Sequence, residues 1–248
     1  MILRRFTQHV NEQNWFAVAL DVLVVVVGIF LGMQVTEWNE ARKDRKDSHE
    51  FLERIHTEVL SSERASQRVL ERRLNLIHDL TAAVRMTSDE QAGSTLTDRH
   101  CFALGTSHYY NISVTDLPSL VELMNAGRLT IIEDDQLRTA LIELQQATGA
   151  LRAVILDDNN AHNLPMLHPN IIALTSHFDG ELGEIQSKYR CNLEAMRENR
   201  SFLNAASETL DSYDAYLRDG LRPWSENIIT LHRLLDDVLG LHHDGKNQ

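Results

Sequence analysis

Val22-Leu-Val-Val-Val-Val-Gly28-Ile-Phe-Leu-Gly32-Met33 is the core of the only long apolar stretch in this chain, which runs from Trp15 to Val35. About 20 residues at 1.5 Å rise cross a hydrocarbon layer of about 30 Å. Asp21 and Gln34 are the polar edges of the run, and Trp15 and Trp38 bracket the segment. Aromatic residues of this kind favour the membrane–water interface. The stretch therefore predicts one transmembrane helix over 15–36, behind a short tail over 1–14. A cleaved signal peptide fits less well. The run is long for such a segment, and bulky or charged residues from Gln34 to Glu40 follow it in place of a small-residue cleavage site.

Arg4 and Arg5 favour a cytoplasmic N-terminus and a periplasmic C-terminal domain. Arg42, Lys43, Arg45 and Lys46, just past the other end, count in the opposite direction. The expected placement is a bacterial inner membrane, N-terminus inside. The 14-residue tail leaves no room for a signalling output domain, which counts against a self-contained sensor.

Two stretches resemble an uncharacterised family of bacterial single-span membrane proteins, known as a domain of unknown function. One is Asp21 to Arg42, an acidic residue, an aliphatic run with Gly, then Gln34 and Trp38-Asn39-Glu40. The other is Leu120-Val-Glu-Leu-Met-Asn-Ala-Gly127-Arg-Leu-Thr-Ile-Ile132 with Leu137-Arg138. Asp21 stands where Glu is usual. The resemblance implies a single span and carries no activity with it.

Beyond the apolar run the chain turns polar. Residues 1–36 hold two acids and two bases (Glu12, Asp21, Arg4, Arg5), so the whole net charge of −12 lies after them. A nucleic-acid binder needs a basic surface, and this balance argues against one. Charges of opposite sign recur over Trp38 to Asp47. Apolar residues then recur at Leu52, Ile55, Val59, Val69, Leu70, Leu74, Ile77, Leu80 and Val84, with small Ser62 and Ser66 in the gap. That spacing predicts a helix continuing from the membrane segment as a stalk over 37–88.

Residues 87–100 read as a loop, followed by a poorly periodic stretch to Val114. Asp116 can cap a short helix with Pro118 in its first turn and Gly127 at its end, before an extended connector from Arg128 to Ile132. A helix is expected from the acidic run Glu133-Asp134-Asp135 to about Asp158, and a loop over 159–170. Further helices are expected over Ile171–Tyr189, over Leu193–Leu217, and from Pro223 to about Leu241. Each has one apolar stripe to bury. The fold class is mainly α: a transmembrane helix, a stalk helix, and a soluble antiparallel helical bundle over 89–248.

Cys101 and Cys191 form no metal-binding or redox motif. They can pair if the domain meets an oxidising compartment, or stay as two buried thiols. Twelve histidines are many. The densest set, His162, His168 and His177, lacks the helical spacing of a zinc site, so no metal and no cofactor is expected. Gly105-Thr-Ser-His-Tyr-Tyr-Asn111 gathers a hydroxyl, a His and two aromatics, and reads as a packed turn rather than a catalytic group.

Gly28 and Gly32 form a small-xxx-small pair. With Asp21, Val25 and Val35 they share one helix face, a candidate contact with a second copy or another membrane protein. Trp38-Asn39-Glu40 is a candidate docking element at the membrane surface. The function expected is a non-enzymatic, membrane-anchored interaction module, an accessory subunit of an inner-membrane complex. The alternative is an extracytoplasmic ligand-binding sensor domain.

Overall fold

The computed structural model describes the backbone of residues 15–89, 95–110, 116–157, 163–179 and 184–241, and the side chains of most of these. The chain is mainly α, as its periodicity predicts, and divides into two compact units, residues 1–50 and 51–248. The first helix, α1 (Trp15–Ser88), supplies residues to both. In the first unit it is long and apolar enough to cross a membrane, and none of its most apolar window is buried by the rest of the chain. Large apolar side chains from Val22 to Val35 all stand exposed.

From Phe51 onward α1 is no separate stalk. Phe51, Leu52, Ile55, Val59, Leu80, Ala83 and Val84 are core residues of the second unit, which therefore begins inside the segment 37–88. Between Val59 and Leu80 the apolar stripe thins, and Ser66 is buried there instead.

The other elements pack on this part of α1. Helix α2 (Asp98–Thr106) lies where a loop and an aperiodic stretch were expected. Thr97 caps it, in a reciprocal box with His100 at the position usually held by Glu or Gln. That substitution hides the start signal. Helix α3 (Pro118–Asn125) starts at Pro118 as predicted, but Asp116 does not cap it. Asp116 pairs with Arg152 at 2.9 Å. The cap comes from α1: the Glu58 carboxylate accepts from Ser119 N at 3.1 and 3.2 Å and from Ser119 Oγ at 2.7 Å. Gly127 takes the left-handed conformation, φ +64°, that ends the segment. The expected extended connector is a 3₁₀ turn, Leu129–Ile131. Helix α4 (Asp135–Asp157) follows, its first turn capped by Asp134 Oδ1 accepting from Leu137 N at 2.8 Å.

After a single turn, α5 (Leu164–Leu167), comes the main departure from the sequence reading. The helix expected over 171–189 is an antiparallel hairpin, β1 (Ile172–Asp179) and β2 (Glu184–Cys191), with Ile172 opposite Cys191 and Asp179 opposite Glu184. A strand alternates faces, so Tyr189 and Cys191 point the same way. In a helix they would diverge by about 200° at 3.6 residues per turn. Both are used on one face of α2. Cys191 is disulfide-bonded to Cys101, with Cα atoms 5.7 Å apart. One turn further along α2, Gly105 lies against the Tyr189 ring. The disulfide closes a loop of 90 residues, for which chain entropy gives a ceiling of about 4.6 kcal/mol.

The chain ends in α6 (Leu193–Glu198), α7 (Arg200–Ala215), a π-helical segment (Tyr216–Leu221) and α8 (Arg222–Leu239), closed by Gly240 at φ +67°. Pro223 was expected to open a separate helix. Instead α7 passes through the π turn into α8 without leaving helical geometry. Proline in a helix interior lacks an N–H and crowds the carbonyl four residues back, and a wider turn just before it relieves both. Helix α8 runs antiparallel to α1, pairing Ser66 with Ser225, Glu63 with His232 and His56 with Asp236. It also meets α4, where Trp224 Nε1 donates to Thr148 Oγ1 at 3.1 Å.

A methyl group on Gly105 would run into the Tyr189 ring near its root, where the side chain has least freedom. Gly105→Ala should lower stability by about 1–3 kcal/mol. Gly149, in the middle of α4 with nothing near its missing Cβ, is the control. Gly149→Ala should be neutral or stabilising by up to about 1 kcal/mol. Chemical denaturation of the two variants beside the parent checks the contrast. Equal stability of Gly105→Ala and parent would mean that the helix–hairpin contact is not as close as described.

Candidate functional site

The polar middle of α1 is where the second unit opens. Two adjoining cavities of about 500 and 720 Å³ share Arg72, Asn75, Leu76 and Phe102, and form one groove. One wall is α1 from Ala65 to Asp79. The other comes from α2, Tyr109 and β2, through Phe102, Thr106 and Tyr189, with Trp224 at one end. A volume of several hundred Å³ with mixed apolar and polar lining suits a small organic molecule.

The charge lining is unusual for this chain. Arg64, Arg68 and Arg72 follow one another at four-residue spacing, a ladder of like charges along one helix ridge. Such pairs repel by a few tenths of a kcal/mol each in an isolated helix. Arg68, Arg72 and Arg73 face the larger cavity, and Arg99 and Lys188 the smaller. Arg99 is paired with Asp79 at 3.1 Å and Lys188 with Asp98 at 2.8 Å. Arg68 and Arg72 make no ion pair among the described residues and are exposed. Phe102 and Tyr109, 50% and 44% exposed, offer aromatic surface beside them.

Arg73, on the groove wall, also reaches inward. Beneath the groove Tyr110, Tyr213 and Tyr216 form a fully buried triangle, with ring centroids 4.8 to 5.8 Å apart. Burial raises the phenol pKa of Tyr213 and Tyr216 above 10, and the Arg73 guanidinium facing both works against that shift. Tyr216 begins the π turn, so the irregular helix and the buried phenols are one feature. Tyr189 is pushed up to about 12 by burial and by its neighbour Tyr109. These phenols stay neutral at physiological pH, and the groove's charge comes from its arginines and Lys188, set against Asp79 and Asp98.

The hydroxyls here are held by the backbone. Ser66 Oγ donates to Glu63 O at 2.9 Å and meets Ser225 Oγ at 3.2 Å; Thr106 Oγ1 donates to Phe102 O at 2.7 Å. In the segment Gly105 to Tyr110, Ser107 and His108 are buried, and Ser107 Oγ donates to Leu104 O at 3.1 Å. Burial lowers the His108 pKa. This is the packed turn expected from the sequence, and its Asn111 lies outside the described residues.

The remaining sequence candidates separate. Val25, Val35, Trp38, Asn39 and Glu40 are exposed, and nothing approaches the Cβ positions of Gly28 and Gly32. The Asp21 and Trp15 side chains lie outside those described. Of the histidine set, His168 packs edge-on against Phe202 with centroids 5.4 Å apart, while His162 and the side chain of His177 lie outside the described residues.

A different pair of histidines does converge. His56, His232 and Asp236 place ring nitrogens and a carboxylate oxygen within 4.8 Å of one another, between α1 and α8. Their signal in the sequence is the four-residue step from His232 to Asp236, which a search for paired histidines on one helix passes over. The arginine ladder is likewise visible at fixed spacing, but not to a reading that tracks only apolar residues. No family model, curated protein or solved structure matches this chain.

Proposed function

We propose that this chain is a membrane-anchored, non-enzymatic binding module whose groove takes a small organic anion with an aromatic or aliphatic body. The observation that carries the reading is the arginine ladder. On a chain of net charge −12, it concentrates cations on one groove wall, where Arg68 and Arg72 have no acidic partner among the described residues. Guanidinium groups bind carboxylates and phosphates through paired N–H donors, and they stack on flat rings. Phe102 and Tyr109 supply apolar surface for the rest of the ligand. The groove hydroxyls held by backbone carbonyls support a binding role over a catalytic one. This ligand-binding reading, rather than docking alone, accounts for a like-charged ridge that weakens its own helix.

The anchor belongs to the same proposal. The exposed Val22–Val35 run is placed across a bacterial inner membrane, in keeping with the single-span family that the Asp21–Arg42 stretch resembles. The second unit is assigned to the periplasm. Arg4 and Arg5 precede the span, and the Cys101–Cys191 disulfide suits an oxidising compartment. The face with Gly28 and Gly32 is proposed as the contact with a second copy or another membrane protein, because small residues allow close backbone approach in lipid. Trp38-Asn39-Glu40, exposed just beyond it, is the proposed docking element at the membrane surface.

Three measurements test these parts separately. The full chain in nanodiscs, titrated calorimetrically, should bind 2-naphthoate and bind the uncharged 2-naphthamide at least tenfold more weakly. The double variant Arg68→Ala/Arg72→Ala should lose most of that difference. Equal affinity for acid and amide would remove the anion from the proposal. An alkaline phosphatase fused after Gln248 should be active in intact cells; an inactive, well-expressed fusion would put the second unit in the cytoplasm. Gly28→Ile/Gly32→Ile should weaken cross-linking in membranes, and undiminished cross-linking would move the contact elsewhere.

A further inference from the structure

Four side chains meet between α1 and α8. His56 and Glu63 lie two turns apart on α1, and His232 and Asp236 one turn apart on α8. His56 Nε2 lies 2.8 Å from Asp236 Oδ1, and His232 Nε2 lies 3.5 Å from Asp236 Oδ2. The two imidazole rings are 5.3 Å apart, centre to centre. On its other side His232 Nδ1 lies 2.5 Å from Glu63 Oε2. The histidine and Asp236 side chains are between 10% and 17% exposed.

We infer that His56, His232 and Asp236 form a binding site for a divalent transition-metal ion of the zinc class. Three features converge on it. The donor set, two imidazole nitrogens and one carboxylate, is the set that zinc and its neighbours accept, and three protein ligands leave the fourth position to water. The separations are close to what is needed. Zinc–nitrogen and zinc–oxygen bonds of about 2.0–2.1 Å put tetrahedral ligand atoms about 3.4 Å apart. The three ligand atoms already lie within 4.8 Å of one another, so the rings need shift only by fractions of an ångström to a little over one. Glu63 supplies the outer contact. By accepting the Nδ1 proton of His232, it fixes the tautomer whose Nε2 lone pair faces Asp236. A carboxylate behind a ligating imidazole does this in metal sites generally and raises the ligand's basicity.

Each helix contributes one histidine and one carboxylate, so an ion here ties α1 to α8 across the unit. The ligands sit in the interface between those helices and do not line the arginine groove, so the site stands independently of the anion proposal.

The test uses the full chain in detergent, stripped with a chelator and titrated with Zn²⁺ against a chromophoric competitor at pH 7.5. One equivalent should bind, and the melting midpoint should rise with zinc concentration. Co²⁺ in place of Zn²⁺ should give the intense visible bands of a four-coordinate site. His56→Gln/His232→Gln should abolish both signals. Glu63→Gln, which leaves all three ligands in place, should weaken zinc binding 10- to 100-fold. Circular dichroism matched to the parent establishes that each variant is folded. The inference is overturned if the folded parent takes up no zinc. It is equally overturned if the double histidine variant still binds one equivalent at parental affinity, which would place the ion elsewhere, for example at His242-His243.

Discussion

The second unit depends on the antiparallel pairing of α1 with α8. Along α1 the buried face is apolar toward both ends and polar in the middle. Phe51, Leu52, Ile55 and Val59 bury their side chains before the polar stretch, and Leu80, Ala83 and Val84 after it. Ser66 meets Ser225 where bulk would push the helices apart. Two short side chains joined by a hydrogen bond let the backbones approach, and the same thinning of the stripe leaves room for the groove beside them. The break in the apolar pattern of α1 is thus a packing device and the source of the concave surface at once. Apolar end segments supply cohesion of roughly 1.5–3 kcal/mol for each large side chain buried. The central segment can then carry polar groups that would not hold two helices together alone.

The hairpin is held by different means. Two strands alone are marginal in water. Here Ile172 is buried, and Cys191 is covalently joined to α2. Gly105 and Cys101 are one turn apart on the helix, and Tyr189 and Cys191 two residues apart on the strand, so ring contact and disulfide fix the same register. A slip by one residue would turn Tyr189 away from Gly105 and strain the disulfide together. In consequence β2 is a firm wall of the groove, and Lys188 and Tyr189 are delivered to it from a pinned strand.

What could be read from the sequence follows the range of the interactions involved. The apolar run, the helical stripe of α1, Pro118 opening α3 and Gly127 closing it are local matters, and local spacing shows them. The failures are tertiary. Ile171, Leu174, Phe178, Leu182, Ile185 and Tyr189 match a helical spacing as well as a strand's, and the deciding contacts lie on α2, some 85 residues earlier in the chain. The Asp179-Gly180 pair was the one local hint of a hairpin. The cap of α3 comes from Glu58, not from Asp116, because a carboxylate on a packed helix can serve as well as one adjacent in sequence. The start of α2 was masked by His100 standing where an acid or amide is usual. Both sites share this difficulty. Arg68 and Arg72 show their spacing in the sequence, but not the Phe102 and Tyr109 opposite them. His232 and Asp236 likewise do not announce His56.

The placement of unfavourable features is itself informative. A sequence selected only for a stable bundle would avoid like charges at four-residue spacing, three buried phenols packed together and a π turn ahead of a proline. All of these occur around one region. Arg68 and Arg72 of the ladder line the groove, Arg73 reaches from its wall to Tyr213 and Tyr216, and Tyr216 opens the π turn that leads to Trp224 at the groove's end. π turns recur at functional sites because the widened helix re-aims side chains that a regular one would stack. Here it brings Tyr216 inward beneath the groove and still lets Trp224 reach Thr148 on α4. The local departures from an ideal helical bundle therefore form one connected structure around the groove.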